Sequence, residues 1–291
     1  MSSFGKTNSY SPTKTKNMQL SFTKMHGLGN DFIVIDATQQ PFTLSSQQIQ
    51  QLANRHFGIG FDQLLVVEPS EQADFRYRIF NSDGGEVEQC GNGARCFALY
   101  VQQKNLSNKT ELRVETNSGL ITLTVEQDGQ VTVNMGPPIF VPDQVPFIAD
   151  SEAISYSIEC NGELIDVAVV SMQNPHAVVL CDSIDTAPVE SLGPILESHP
   201  RFPRRVNVGF MEVVNSEQIR LRVFERGVGE TKACGTGACA AVVAGIRLGK
   251  LTNDVKVNLL GGRLNIRWQG GTTPVWMRGP ATIVFEGKID L

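Results

Sequence analysis

Two ten-residue segments carry one chemical frame, Gly85-Glu86-Val87-Glu88-Gln89-Cys90-Gly91-Asn92-Gly93-Ala94 and Gly229-Glu230-Thr231-Lys232-Ala233-Cys234-Gly235-Thr236-Gly237-Ala238. Their cysteines are 234 − 90 = 144 residues apart. The residues after each cysteine follow a helical pattern, so each thiol heads a helix, where unpaired amides and the positive end of the macrodipole favour thiolate over thiol. A downward shift of about 1.5 units from the free thiol's pKa of about 8.5 makes such a group a half-populated base at neutral pH. The glycines leave the amides of Gly91, Asn92, Gly235 and Thr236 open to a carboxylate. Two thiols flanking an acid with an exchangeable α-hydrogen could invert its carbon, one removing the proton and the other delivering one from the opposite face.

The elements that must place these cysteines are duplicated with them. Between Arg78 and Ala94, eight of seventeen positions match their partners 144 residues on, where average composition gives about one. Residues 75–80 and 219–224 alternate as half-buried strands ahead of the two turns. Beyond the turns, Ala94, Phe97, Ala98 and Val101 recur on one helical face, and residues 238–246 are apolar nearly all round. The same offset pairs Asn30 with Asn174 and Gln63 with Asn207. A lone Cys-Gly-x-Gly turn is an ordinary core feature, but two at one register predict two-fold related lobes, each offering one thiol. Cys96, Cys160, Cys181 and Cys239 are expected to pack in the core.

In chain order, residues 1–18 are polar and aperiodic and are expected to form a disordered tail. Strands are expected at 33–35, 64–67, 111–114, 120–125, 131–133, 165–170, 177–180 and 208–214, with helices at 46–55, capped by Ser45 or Ser46, and around 190–197. Gly136-Pro137 and Gly279-Pro280 each lead into an apolar strand (139–141 and 283–285) and read as matching crossover points. The lobes are therefore residues 19–135 with 280–291, carrying Cys90, and residues 136–279, carrying Cys234.

The 291 residues are 41% hydrophobic and 19% charged, ordinary for a globular chain with substantial cores. A net charge of −5 argues against general affinity for nucleic acid or anionic membrane. No apolar run approaches the roughly 20 residues of a membrane-spanning helix. Six cysteines without a signal peptide point to a reducing compartment, the cytoplasm, and to free thiols. Whether the protein is a monomer or a homodimer is left open.

His176, after Asn174-Pro175, corresponds to Phe32 in the first lobe, and Glu225 and Arg226 correspond to Asn81 and Ser82. These asymmetries could set the charge state of one thiol and recognise an ammonium and a second carboxylate. Met25-His26-Gly27-Leu28-Gly29-Asn30-Asp31-Phe32, Asn81-Ser82-Asp83-Gly84, the two cysteine segments, Asn174-Pro175-His176 and Glu225-Arg226-Gly227 together resemble the diaminopimelate epimerase family over about residue 19 to the C-terminus. The resemblance implies an α/β fold of two pseudo-symmetric lobes, each a β-barrel around a central helix. It also implies cofactor-independent interconversion of LL- and meso-diaminopimelate, with diaminopimelate the partner molecule and no metal. By position it makes Cys90 and Cys234 the acid-base pair, with His176 and Glu225 tuning them. Asn30, Gln63, Asn81, Asn174, Asn207, Glu225 and Arg226 become substrate contacts, and the Gly91-Asn92 and Gly235-Thr236 amides hold the α-carboxylate. Gln173 departs from the glycine that often precedes Asn-Pro-His in the family.

A thiol redox or metal-binding protein is the competing class, but the spacings C-x5-C and C-x4-C lack the usual zinc and thioredoxin patterns. A non-catalytic binding module would need no paired thiols.

Overall fold

The computed structural model describes residues 19–87 and 90–291. The expected tail over residues 1–18, and Glu88 and Gln89 of the first cysteine segment, lie outside them. The first half of the chain runs β1 (Gln19–Gly27), β2 (Asn30–Asp36), α1 (Ser46–Ala53), β3 (Gln63–Glu68), β4 (Phe75–Asn81), β5 (Glu86–Val87), α2 (Gly91–Gln103), β6 (Glu111–Thr116), β7 (Gly119–Val125) and β8 (Val131–Asn134). The second half adds β9 (Tyr156–Cys160) and then repeats the series. It comprises β10 (Glu163–Ser171), β11 (Pro175–Leu180), α3 (Val189–Glu197), β12 (Asn207–Asn215), β13 (Gln218–Glu225), β14 (Gly229–Thr231), α4 (Gly235–Arg247), β15 (Asp254–Leu259), β16 (Gly262–Arg267) and β17 (Trp276–Gly279). The chain ends with β18 (Thr282–Asp290). Moving β1 and α2 on by 144 residues gives the bounds of β10 and α4 without adjustment.

Pairings repeat too. β2 runs parallel to β3 with α1 as the crossover, and β11 parallel to β12 with α3. β4 runs parallel to β6 with α2 between them, and β13 parallel to β15 with α4. The halves are joined where β8 pairs antiparallel with β17, from Val131↔Gly279 to Asn134↔Trp276. The chain crosses twice near this seam. After β8 it reaches the second half, where Ile139 bridges Ser171 of β10. After β17 it returns, and β18 pairs with β1 from His26↔Thr282 to Gln19↔Asp290.

Local chemistry explains most elements. Ser45 caps α1 through a reciprocal capping box with Gln48, while Ile49, Leu52 and Ala53 face the core. Two braces of identical chemistry stiffen the strands that lead to the cysteines. Arg78 grips Glu86 through Nε and Nη2, both at 2.8 Å, and Arg222 grips Glu230 at 2.6 and 2.8 Å. Such two-pronged pairs fix geometry as well as adding energy.

Three sequence expectations change. Helix α2 is buried on every side from Gly91 to Val101, Arg95 included, because it fills the centre of a wrapped sheet instead of lying on one face of it. The strand expected at 139–141 shrinks to the single Ile139 bridge before a short 3-10 turn at Pro142–Gln144, where Pro142 removes a ladder donor. Strands β5, β9, β14, β15 and β16 stand outside the expected set, although the 144-residue offset from β6 and β7 predicts the last two. Cys96, Cys160 and Cys239 are buried, and Cys181 is half-buried at the end of β11.

The turn between β10 and β11 shows what replaces the family's glycine. Gln173 adopts φ = 70°, and its counterpart 144 residues earlier, Gly29, adopts φ = 88°. The left-handed conformation is thus kept by a residue whose Cβ disfavours it. Gln173→Gly is expected to raise stability by roughly 0.5–1 kcal/mol, the relief of strain exceeding the added chain entropy. A urea midpoint equal to or below that of the parent would contradict this.

Candidate active site

Cys90 and Cys234 are the N-cap residues of α2 and α4. Each sulfur accepts a hydrogen bond from the amide three residues on, Gly93 and Gly237, both at 3.4 Å. A Cβ at residue 93 would lie 2.3 Å from the Tyr77 hydroxyl, so the helix can sit this close to β4 only as glycine. The two first turns converge on Met277 of β17, whose terminal atoms would meet a Cβ at either Gly91 (2.7 Å) or Gly235 (3.0 Å). Close approach of the two turns is therefore a second reason for these glycines, besides open amides.

Asn92 ties the turns together. Its Nδ2 donates to the Ala233 carbonyl at 3.0 Å, on the residue before Cys234, and faces Asn30 Oδ1 at 3.4 Å. Asn30 Oδ1 also lies 3.8 Å from Cys90 Sγ, as an acceptor for the thiol. In the second half the polarity is reversed. His176 Nε2 meets Asn174 Oδ1 at 2.9 Å, Asn174 Nδ2 donates to Thr236 Oγ1 at 3.2 Å, and Thr236 Oγ1 is 3.6 Å from Cys234 Sγ.

The remaining expected residues lie at neighbouring strand ends. Gln63 opens β3 opposite Asn81 at the end of β4, and its Nε2 donates to Asn81 Oδ1 at 2.8 Å, leaving its own Oε1 buried and unpartnered. Asn207, buried at the start of β12, donates to Pro175 O and accepts from the Arg226 amide, both at 3.0 Å. Glu225 ends β13 and accepts from Thr231 Oγ1. Arg226 follows β13 directly. Its side chain is exposed and bonds the Arg204 carbonyl at 3.0 Å.

The charge states also depart from expectation. Burial, not the helix end, dominates the thiols, pushing Cys90 up to about 11 and Cys234 well above its ordinary value. The bonds from Gly93 and Gly237 work in the expected downward direction but do not win, and the negative charge of Glu225 raises both sulfurs. Burial raises Glu225 as well, bringing a proton on its carboxylate within easier reach of neutral pH. His176 is pulled down to about 3, first by burial and then by the charge of Arg226, so its imidazole is neutral at neutral pH.

Two residues that positional reading missed act on these groups. Asp62 Oδ2 accepts from Asn30 Nδ2 at 2.9 Å and is itself held by Arg55 at 2.7 Å. Arg95 Nη2 donates to Asn92 Oδ1 at 3.0 Å. An arginine inside a nearly continuous apolar helical face was the available signal for the second. Among the described residues no group of three or more His, Cys, Asp or Glu side chains is placed to hold a metal, and no helix is long and apolar enough to cross a membrane.

The family model for diaminopimelate epimerase matches residues 22–141 and 168–284, taking in both cysteine turns and the strand ends around them. The chain belongs to the diaminopimelate epimerase family. Relatives bearing that name include a protein of Nitrosomonas europaea, 60% identical over 94% of this chain and 100% of the relative, and one of Thioalkalivibrio sulfidiphilus with the same figures. Among solved structures, the fold is shared with a hydroxyproline epimerase from Agrobacterium vitis (TM-score 0.68, 17% identity, 96% of this chain and 94% of that one). It is shared also with a PhzF-family phenazine biosynthesis protein of Bacillus anthracis (TM-score 0.67, 18% identity, 94% and 99%). The diaminopimelate epimerase fold is thus shared with proteins that carry other names.

Because burial holds Cys90 as a thiol until alkaline pH, its alkylation by iodoacetamide in the ligand-free protein should still be accelerating between pH 8 and 10. Peptide mass spectrometry at residue 90 measures this. A rate that levels off near pH 7 would show a thiolate in the empty site.

Proposed function

We propose that Cys90 and Cys234 are the two acid-base groups of the epimerisation. Family membership makes the reaction the interconversion of LL- and meso-diaminopimelate at one α-carbon. The observation that carries the two-thiol assignment is the meeting of two cysteine-capped helices, joined by Asn92 to Ala233 O at 3.0 Å. An α-carboxylate held there would accept from the Gly91-Asn92 and Gly235-Thr236 amides at the positive ends of both helices. Its α-carbon would then lie between the sulfurs. One sulfur, as thiolate, takes the α-proton, and the other, as thiol, gives a proton to the opposite face, so the centre inverts and the proton count is conserved.

Glu225 is the group that lets one of two neutral thiols ionise. It acts electrostatically on both sulfurs and is bonded by Cys234, and its raised proton affinity suits it to receive what a thiol releases. Neutral His176 fixes Asn174, leaving Thr236 free to donate towards Cys234. Asn30, Gln63, Asn81, Asn174, Asn207 and Arg226 line the strand ends beyond the cysteines and read the distal amino-acid end, which does not react. No cofactor enters this proton inventory. The net charge of −5 offers no general attraction for nucleic acid, and the free thiols fit a reducing, cytoplasmic setting.

In deuterated water, deuterium should appear at one α-carbon of diaminopimelate during turnover, and Cys90→Ala and Cys234→Ala should each lose at least about a hundredfold in rate. A variant lacking either sulfur that epimerises at the parent rate would refute the assignment. Arg226→Ala is expected to lower kcat/KM at least about tenfold, near the weak end for a charged contact, because this guanidinium stays hydrated in the empty site. Unchanged kinetics would remove Arg226 from the distal site.

A further inference from the structure

Arg95 is fully buried, yet among the described residues it has no carboxylate partner. Its guanidinium instead takes three neutral acceptors, one on its own helix, one on β17 and one just past that strand. Nε donates to Pro280 O at 3.0 Å, Nη2 to Asn92 Oδ1 at 3.0 Å, and Nη1 faces Met277 Sδ at 3.6 Å. Space is left for it by two glycines. A Cβ at Gly27 of β1 would stand 3.1 Å from Nη2, and one at Gly279 of β17 would stand 3.3 Å from Nε. The position 144 residues on is Cys239, so only one half carries this cation.

A buried charge without a counter-ion is costly to keep unless the protein uses it. Its bonds show how. Guanidinium can only donate, which fixes Asn92 Oδ1 towards Arg95 and Nδ2 towards Ala233 O. The Asp62 carboxylate takes Asn30 Nδ2, which leaves Asn30 Oδ1 towards Asn92 and Cys90. Each amide between Arg95 and Asp62 is thereby locked in one orientation by groups with a single hydrogen-bonding role.

We propose that Arg95 is a positioning residue of the two-thiol reaction, clamping the Cys90 and Cys234 turns together through Asn92 and supplying the cation that an ionised sulfur requires. The proposal rests on the two-thiol assignment above. Cys90 is faced by Arg95 and Cys96 from its own helix, by Tyr77 from β4 and by Glu225 from β13. Arg95 is therefore the one cation among these neighbours.

Two variants separate clamp from charge. Arg95→Met keeps the length and removes both the charge and the donors, whereas Arg95→Lys keeps the charge and gives up the planar fork. The readouts are kcat and KM for diaminopimelate and the pH midpoint of Cys90 alkylation, followed at that residue by mass spectrometry. In Arg95→Met the midpoint should rise by more than about 0.3 unit, because a positive charge acting on the sulfur is lost. Its kcat should fall at least about a hundredfold with KM changed by less than about threefold, the pattern of an interaction made in the transition state. In Arg95→Lys the midpoint should stay within about 0.3 unit, while kcat still falls at least about fivefold because the clamp is loosened.

A folded Arg95→Met protein with the parent midpoint, or an Arg95→Lys enzyme with the parent kcat, overturns the proposal. Should Arg95→Met not fold, as judged by circular dichroism, kcat of Arg95→Lys decides alone. Failure of the two-thiol assignment would show elsewhere, as parent-level turnover in Cys90→Ala, while the alkylation midpoints would still report on the charge.

Discussion

Two helices bring their positive ends together, with the Glu225 carboxylate acting on the sulfurs that cap both. Their dipoles repel, and the repulsion is increased by the guanidinium buried beside the first helix. Only strong external constraint keeps such an arrangement, and the rest of the molecule supplies it. Each helix is enclosed by a wrapped sheet, each preceding strand is braced by an arginine–glutamate fork, and Met277 fills the gap between the first turns. The result is two converging sets of helix-end amides. On the proposed reading, a substrate α-carboxylate bound there would relieve the repulsion, so the energy that packing stores in the fold would be used for binding.

Symmetry of backbone is combined with asymmetry of side chain. Phe32 is the counterpart of His176 and Asn81 that of Glu225, and of the paired asparagines Asn30 turns its oxygen to Cys90 while Asn174 turns its nitrogen to Thr236 beside Cys234. An acceptor therefore stands at Cys90 and a donor chain ends at Cys234. Two thiols with similar backbone settings thus meet different polar partners.

Whatever depended on neighbours in the chain could be read before the structure. The Ser45 cap, the strands that alternate, the cysteines at helix starts and the 144-residue repeat are all local or periodic signals, and the strand-end asparagines followed from position within the repeat. What was missed depends on the third dimension. Helix ends lower a thiol's pKa locally, but burial is contributed by residues from many strands, and it reversed the direction for both cysteines. Arg95 looked like one polar residue on a helix because nothing in its vicinity announces Pro280, 185 residues away. Arg226 could be placed beside the site by its position in the repeat, but not its exposure, which comes from lying just past the end of β13.

The return of β18 to β1 places the two ends of the described chain side by side, with Gln19 Nε2 donating to Asp290 Oδ1 at 3.2 Å. During synthesis this reverses the natural order of assembly. The half made first lacks a strand until β18 has left the ribosome, whereas the half made second already has all the strands from β9 to β17. The earlier-made half must wait, its open β1 edge exposed, through the translation of about 150 further residues at roughly 5–20 per second.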